Sequence, residues 1–145
     1  MQLEDMENAR PPVPGVRDRL LAAAVLVLAS VAVRLVPFRT LTKSAEWGGA
    51  EVEPGRLEWE AACRAALAVE SASRRIPWRT VCIQEAFALH WILRWQSFPS
   101  FLHFGISPGE DRLSAHVWVS VAGKILIGEA SAESHAQVAT FPSRD

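Results

Sequence analysis

Two short segments of the chain contain residues that could act together as a nucleophile and a base. Cys82 lies near the start of an apolar, helix-like segment, and His116 lies in the alternating run AHVWV at residues 115–119. A thiol becomes a nucleophile when its surroundings favour the thiolate and a neighbouring base takes its proton. These residue types indicate cysteine-based acyl chemistry, with Cys82 as the nucleophile and His116 as the general base.

The predicted start of the helix would help to activate Cys82. Thr80 is a suitable N-cap, which places Cys82 in the first helical turn. Unpaired backbone N–H groups and the positive end of the helix dipole would then face the sulfur. We expect both to lower the pKa of the thiol and to stabilise an oxyanion, and Arg79 could add a further positive field.

A third site residue is predicted by counting along two strands. Two segments with strand-like alternation are joined by a tight turn that contains Gly123. Counting outward from this turn pairs Val119 with Leu126 and His116 with Glu129, with their Cβ atoms about 5 Å apart. Glu129 would then orient the imidazole as the third member of a triad, and a one-residue slip in register would remove that role.

Each candidate residue also has a purely structural interpretation. A lone buried cysteine is most often an inert small hydrophobe, and a histidine on an apolar strand most often makes a hydrogen bond within the core. Cys63, between Ala62 and Arg64 in the middle of a helix, is predicted to be structural. Glu85 and His90 could reach the site, but they are more typical of a local charge contact and of a buried polar group.

Composition restricts the class of protein. The chain has 145 residues, of which 50% are hydrophobic, so we expect one domain with a packed core. The net charge of -1 and the lack of a basic stripe argue against nucleic acid as a partner. Two cysteines without a Cys-x-x-Cys motif favour a reducing compartment. No cofactor is predicted, and a zinc site of Cys82, His103 and His116 would lack a recognised ligand spacing.

The order of predicted elements is typical of an α+β fold, with helices packed on a small antiparallel sheet. Helices are predicted over 20–35, 57–75 and 81–95, and strands over 100–106, 113–121 and 124–128. The third helix is apolar nearly all round, so it should be central and buried. The predicted organisation is a flexible arm over 1–19, a single domain over 20–130 containing a loop at 40–55, and a fraying tail over 131–145.

A continuous apolar run from Leu20 to Val33 leaves several possibilities open. At 14 residues it is shorter than the roughly 20 that a membrane-spanning helix needs. It could be a helix buried in the fold or in a partner interface, a peripheral membrane contact extending over Leu20–Val36, or a true span or signal.

The segments around the two candidate residues resemble those of a known family. PWRTVCIQEAFAL at 77–89, AHVWV at 115–119 and the pair Gly123–Lys124 are similar to the lasso-peptide biosynthesis leader peptidases, which are transglutaminase-like cysteine proteases. The run that ends in RLVPFR at 34–39 resembles the N-terminal helix of that family. The resemblance covers roughly residues 18–130.

The resemblance implies a transglutaminase-like or papain-like core and a cytoplasmic peptidase that removes the leader from a ribosomally made precursor. A separate ATP-using cyclase, similar to asparagine synthetase, would then close the ring. Carried over to this chain, Cys82 is the nucleophile and His116 is the general base. Many members have an aspartate at the position that Gly128 occupies here, so Glu129 is the nearest substitute.

The resemblance is to the split form of the family, in which a separate small protein presents the leader. The 19 residues before Leu20 leave no room for the leader-binding module that some members carry. The Leu20–Val33 helix would then be a docking surface for that protein or for the cyclase. A transglutaminase-like acyl transferase and a non-catalytic scaffold that binds the leader stay open as alternatives.

Overall fold

A computed structural model of the chain describes residues 13–46, 55–77, 82–108, 113–128 and 136–142. The helices in these ranges are α1 (Val16–Leu35), α2 (Phe38–Ala45), α3 (Arg56–Arg75) and α4 (Cys82–Trp95). The strands are β1 (Ser100–Pro108), β2 (Leu113–Val121), β3 (Lys124–Ile127) and β4 (Ala136–Phe141). The prediction of an α+β fold with helices packed on a small antiparallel sheet is confirmed.

The two long helices α1 and α3 begin in the same way. The backbone N–H of Gly15 donates to the Asp18 carboxylate at 3.0 Å, and that of Gly55 donates to the Glu58 carboxylate at 2.9 Å. Each carboxylate also lies in the first turn, where the helix dipole favours negative charge. Helix α1 therefore begins at Val16, before the predicted apolar run, because Gly15 and Asp18 supply a start signal.

Helix α2 occupies part of the region that was predicted to be a loop. Its Leu41 and Ala45 side chains are buried in the core. The Trp91 indole N–H on α4 donates to the Ser44 hydroxyl at 3.0 Å. The loop prediction over 40–45 is therefore wrong, because contacts with α4 stabilise a short helix whose own sequence is a weak helix former.

The four strands form one sheet in the order β3-β2-β1-β4, and each neighbouring pair is antiparallel. The β2–β3 connection is the predicted tight turn, with Ala122 and Gly123 at φ 52° and 78°. Two positive φ values define a hairpin turn whose twist suits the strands. Strand β4 lies within the predicted fraying tail, and that prediction is wrong for residues 136–141 because they pair with β1.

Helix α4 lies at the centre of the core, as its apolar sequence predicts. One face of the sheet packs against α4 through Leu102, Val117, Val119 and Val121. Helices α1 and α3 cover other sides of α4. The apolar residues of α4 are thereby enclosed nearly all round, which removes them from water and favours folding by about 25 cal/mol for each Å² buried.

A buried histidine connects three of these elements. His90 on α4 is fully buried, and its Nε2 lies 2.9 Å from the carbonyl oxygen of Ala45 at the end of α2. Its Nδ1 lies 2.9 Å from the Ser100 hydroxyl on β1. Since a carbonyl only accepts, Nε2–H donates and Nδ1 accepts from the hydroxyl. His90 therefore has the structural role predicted for it.

The apolar run of α1 is partly incorporated into the core. Ala22, Leu26 and Ala29 on one side are fully buried. Leu20 and Leu28 on another side are exposed. Among the residues described, no helix has the length and apolar character needed to cross a membrane.

Candidate active site

Cys82 is the first described residue of α4, and its side chain is half-buried. Helix α4 places the thiol at the end of the core, because every later turn of the helix packs between the sheet and the other helices. The first-turn position predicted for Cys82 is consistent with this start. Thr80 and Arg79, the predicted cap and the predicted source of positive field, lie outside the described residues.

The surroundings of the Cys82 thiol act on its pKa in opposite directions. Burial raises the pKa above its ordinary value, and this is the largest effect. Hydrogen bonds from the backbone amides of Val117, Ile83 and Cys82 itself lower the pKa, and the Glu85 carboxylate raises it. The helix start therefore favours the thiolate as predicted, but the expected lowered pKa is wrong because desolvation outweighs the amides.

The amide of Val117 places the thiol at the edge of the sheet. A Cβ at Gly128, just after β3, would lie 3.1 Å from the Val117 carbonyl oxygen, so this carbonyl points towards the chain that follows β3. The N–H and C=O of one strand residue point towards the same neighbouring strand. The Val117 N–H therefore points beyond the last β2–β3 pair, Val119–Ile127, towards the Cys82 sulfur, whose pKa it lowers.

His116 is next to this contact in the chain, but its side chain leaves the strand on the other face. Val117 and Val119 belong to the core face, and strand alternation puts His116 on the opposite face with Trp118. His116 lies across from Gly105 on β1, and its Nδ1 is shielded from solvent. The imidazole is thus carried on the face of the sheet that does not pack against α4.

The structure brings the two predicted segments together. Consecutive Cα atoms are about 3.8 Å apart, so a sulfur that contacts the Val117 amide lies within a side-chain length of the His116 backbone. Proton transfer from Cys82 to His116 requires the imidazole to reach the sulfur past the edge of β2. Catalytic hydrogen bonds are often long in the absence of substrate and shorten in the reacting complex.

A β-bulge changes the pairing on which the prediction of Glu129 was based. Val121 pairs with Lys124 as predicted, but Val119 pairs with Ile127 instead of Leu126. An extra residue in β3 shifts the remaining register by one position and moves later side chains to the other face. The predicted Val119–Leu126 pair is therefore wrong, and the strand count that led to Glu129 loses its support. Glu129 lies outside the described residues, and its role stays a prediction.

The family that the sequence resembles often has an acidic residue where this chain has Gly128, and the structure gives a physical reason for the glycine. Its φ is +85°, and a Cβ there would lie 2.8 Å from the Cβ of Trp118. Two carbon atoms this close require the backbone to move. The conformation of the hairpin therefore excludes a carboxylate side chain at position 128.

A polar cluster on the His116 face of the sheet was not predicted. The His103 Nε2 lies 2.6 Å from the Ser120 hydroxyl and its Nδ1 lies 3.2 Å from the Thr140 hydroxyl. The His103 ring stacks on Trp118 with centroids 5.7 Å apart. Strand alternation could have placed His103, Trp118 and Ser120 on one face, but Thr140 enters only through β4.

The arrangement of His103 does not favour a zinc site shared with Cys82 and His116. Both of its ring nitrogens lie within hydrogen-bonding distance of hydroxyls. In the portion of the chain that is described, no group of three histidine, cysteine or acidic side chains is placed to hold a metal ion. Cys63, on α3, is half-buried, and burial and the Glu60 carboxylate raise the pKa of its thiol.

Comparison with known proteins identifies the family. The family model described as "Transglutaminase-like superfamily" matches residues 23–140, which span α4, the AHVWV strand and most of β4. Searches of curated proteins and of solved structures found no match. The matched region includes most of the chain and both Cys82 and His116. The chain therefore belongs to the transglutaminase-like superfamily.

Proposed function

We propose that this protein is a cysteine peptidase that removes the leader from a ribosomally made lasso-peptide precursor. The observation that carries the proposal is the contact between the Cys82 sulfur at the start of α4 and the amide of Val117, the residue after His116. The sulfur, several backbone amides and a histidine-bearing strand meet at one place. Membership of the transglutaminase-like superfamily is compatible with such chemistry.

The proposed reaction begins when His116 takes the proton of the Cys82 thiol. The thiolate attacks the carbonyl at the leader–core junction, and backbone amides at the helix start hold the oxyanion. His116 returns the proton to the amine of the core peptide as the C–N bond breaks. Water, deprotonated by His116, then hydrolyses the thioester and releases the leader, which restores the thiol.

The raised pKa of the Cys82 thiol shows why a base is needed. At neutral pH a thiol whose pKa is raised by burial is almost entirely protonated, so its resting nucleophilicity is low. Movement of the His116 imidazole to the sulfur would supply the base only in the reacting complex. We infer that substrate binding assembles the pair.

Partner proteins complete the proposed system. A separate leader-recognition protein would present the precursor, and an asparagine-synthetase-like cyclase would use the released core peptide in the cytoplasm. The purified chain should therefore cleave precursor slowly, and the leader-recognition protein should accelerate cleavage. Equal rates with and without that protein would refute the split arrangement.

The direct test compares two cysteine variants. Cys82→Ala should reduce precursor cleavage by about 10³-fold or more, because it removes the nucleophile. Cys63→Ala is the matched control, since Cys63 is also half-buried with a raised thiol pKa. Mass spectrometry of the leader and core products gives the readout. Cleavage by Cys82→Ala at the rate of Cys63→Ala would reject the proposal.

The histidine and the acidic residue have separate tests in the same assay. His116→Ala should lower cleavage about as much as Cys82→Ala, because both act in one proton transfer. Glu129→Gln should cost less, since a third triad member mainly orients the base. If Glu129→Gln lowered the cleavage rate as much as His116→Ala does, the carboxylate would do more than orient the base.

Two alternatives have specific support. Membership of the superfamily is also compatible with an acyl transferase. In that reaction an amine attacks the thioester in place of water, and the mass of the product includes the amine. A non-catalytic leader-binding scaffold is favoured by the raised pKa of the Cys82 thiol and by the lack of space for an acid at Gly128. A scaffold would bind the leader with unchanged affinity in Cys82→Ala and leave the precursor intact in the wild type.

A further inference from the structure

One side of α1 exposes a continuous apolar surface, here called the apolar strip. Its members recur every three or four residues and fall within an arc of roughly 100°. The strip consists of Leu20, Ala24, Val27, Leu28, Val31 and Leu35. Leu20, Leu28 and Leu35 are 66%, 60% and 78% exposed. An exposed helix side is normally polar, so a contiguous row of large apolar side chains indicates a binding surface.

Basic residues stand at both ends of the apolar strip. Arg17 and Arg34 are exposed and project from the same side of α1 as the strip, about 25 Å apart along the axis. Helix α1 contains three basic residues and one acidic residue, although the whole chain has a net charge of -1. The acidic residue, Asp18, lies on the other side of α1, 3.8 Å from the Arg64 guanidinium. The surface around the strip is therefore positive.

This charge pattern disfavours a second copy of the chain as the partner. In an antiparallel pair of strips, Arg17 of one copy would face Arg34 of the other at both ends. In a parallel pair, each arginine would face its own counterpart. Like charges in close contact repel in either arrangement, and α1 itself has no carboxylate on this side to separate them.

The shape and chemistry of the strip fit a lipid surface. The strip lies on a convex, 20-residue helix and carries only aliphatic side chains between its two arginines. A helix whose exposed side is apolar and bordered by basic residues can lie in the plane of a membrane interface, with that side between the headgroups and its basic residues on their phosphates. We propose that α1 attaches the protein reversibly to the surface of an anionic lipid membrane.

The proposed membrane contact is independent of the peptidase proposal. The strip belongs to α1, whereas Cys82 and His116 belong to α4 and β2. A failure of membrane binding would leave precursor cleavage unaffected, and a failure of cleavage would leave vesicle binding unaffected. The two proposals are therefore tested by separate readouts on the same full-length chain.

Co-sedimentation with lipid vesicles tests the proposal. The full chain should sediment with vesicles of equal parts phosphatidylglycerol and phosphatidylcholine and stay in solution with pure phosphatidylcholine. Raised salt should release it, because ions screen the arginine–phosphate attraction. Absence of sedimentation with the anionic vesicles, or equal sedimentation with both, would overturn the proposal.

Matched variants locate the contact. Leu28→Glu should weaken vesicle binding by about tenfold or more, since it puts a charge into the apolar strip. Leu57→Glu is its control, because Leu57 is a 79% exposed leucine on α3, outside the strip. Replacing Arg17 and Arg34 together with glutamine should weaken binding by about 25-fold, at roughly fivefold for each arginine. Arg75→Gln, an exposed arginine at the end of α3, should have little effect.

Two results would assign the strip to another occupant. If the wild-type chain does not bind vesicles but sedimentation velocity shows a dimer that Leu28→Glu dissociates, the strip is a self-association surface. Binding to the leader-recognition protein that Leu28→Glu abolishes, again without vesicle binding, would assign it to a protein partner. Unchanged circular dichroism and thermal melting of Leu28→Glu would show that its effect is on the exposed surface and not on folding.

Discussion

His90 makes the stability of this fold depend on pH. Burial lowers the pKa of its imidazole from 6.5 to about 4, and the Arg94 charge acts in the same direction. In the folded state the Nε2–H donates to the Ala45 carbonyl and Nδ1 accepts from Ser100. A proton added at Nδ1 would replace this accepted hydrogen bond with a buried positive charge. Acidification should therefore destabilise the native state.

The size of the effect follows from the two pKa values. Above the unfolded-state pKa of His90, 6.5, the imidazole is neutral in both states and has no effect on the pH dependence. Below that value the unfolded chain binds the proton first, so the free energy of unfolding falls as the pH falls towards about 4. The full loss is about 3 kcal/mol, of which about 2 kcal/mol falls between about pH 7.5 and 5.

Urea unfolding across this pH range measures the loss, with His90→Gln as the non-titrating comparison. The glutamine amide can still donate to the Ala45 carbonyl, and we expect this variant to be about 1–3 kcal/mol less stable at neutral pH. The difference in stability between wild type and variant should shrink by about 2 kcal/mol from pH 7.5 to 5. The same comparison cancels Glu70, whose pKa is raised by burial and whose contribution has the opposite sign.

A direct titration keeps the prediction testable if His90→Gln does not fold. The ring protons of His90 in the wild-type protein should titrate by NMR well below those of a histidine in a model peptide. A constant difference between wild type and His90→Gln from pH 7.5 to 5, or an NMR midpoint for His90 near 6.5, would refute the linkage.

Three further changes test the fold by urea or thermal unfolding. Gly128→Ala should lower the free energy of unfolding by more than the roughly 1–2 kcal/mol expected for Gly123→Ala. Both glycines have a positive φ, but only Gly128 lacks space for a Cβ. Equal losses for the two variants would mean that the hairpin adjusts freely. Leu93→Ala should cost about 2–5 kcal/mol in the buried core, while Leu57→Ala should change stability by less than about 0.5 kcal/mol. Deleting residues 136–145 should lower the melting temperature, since it exposes the edge of β1, and an unchanged melting temperature would contradict the pairing with β4.

Hydrophobic pattern and turn chemistry were sufficient to predict the larger elements. Helices α1, α3 and α4 contain long stretches rich in apolar residues, and prolines mark the ends of two of them. The Ala122–Gly123 turn was predictable because glycine readily adopts the positive φ that a two-residue hairpin requires. Apolar character all round α4 was enough to place it in the core, and the predicted helix start puts Cys82 in its first turn.

The elements that were missed depend on contacts distant in sequence. Helix α2 packs Leu41 and Ala45 against the core, but its 8 residues are too few for a periodic pattern to identify a helix. Strand β4 is largely exposed and is held mainly by its pairing with β1. Each element is too short, at 8 and 6 residues, to be identified from its local sequence, so tertiary contacts decide its structure.

The sequence predicts that the segments of Cys82 and His116 come together, as the structure shows, but it does not predict the register of the strands beside them. The catalytic roles of the two residues stay a prediction. The β-bulge leaves Leu126 without a partner in β2, and it follows from backbone hydrogen bonding. An alternating sequence does not reveal where such a bulge lies. The raised pKa of the Cys82 thiol follows from burial by the surrounding fold, which a count along one helix cannot include.

The proposed chemistry is tested most directly by trapping its covalent intermediate. Precursor mixed with the wild-type chain and the leader-recognition protein, then quenched in acid, should yield a species with the mass of protein plus leader minus one water. Peptide mapping should place the thioester on Cys82, with the same adduct in Cys63→Ala. Nucleophilic catalysis by Cys82 would be contradicted if Cys82→Ala processed the precursor at the wild-type rate, or if the adduct mapped to another residue.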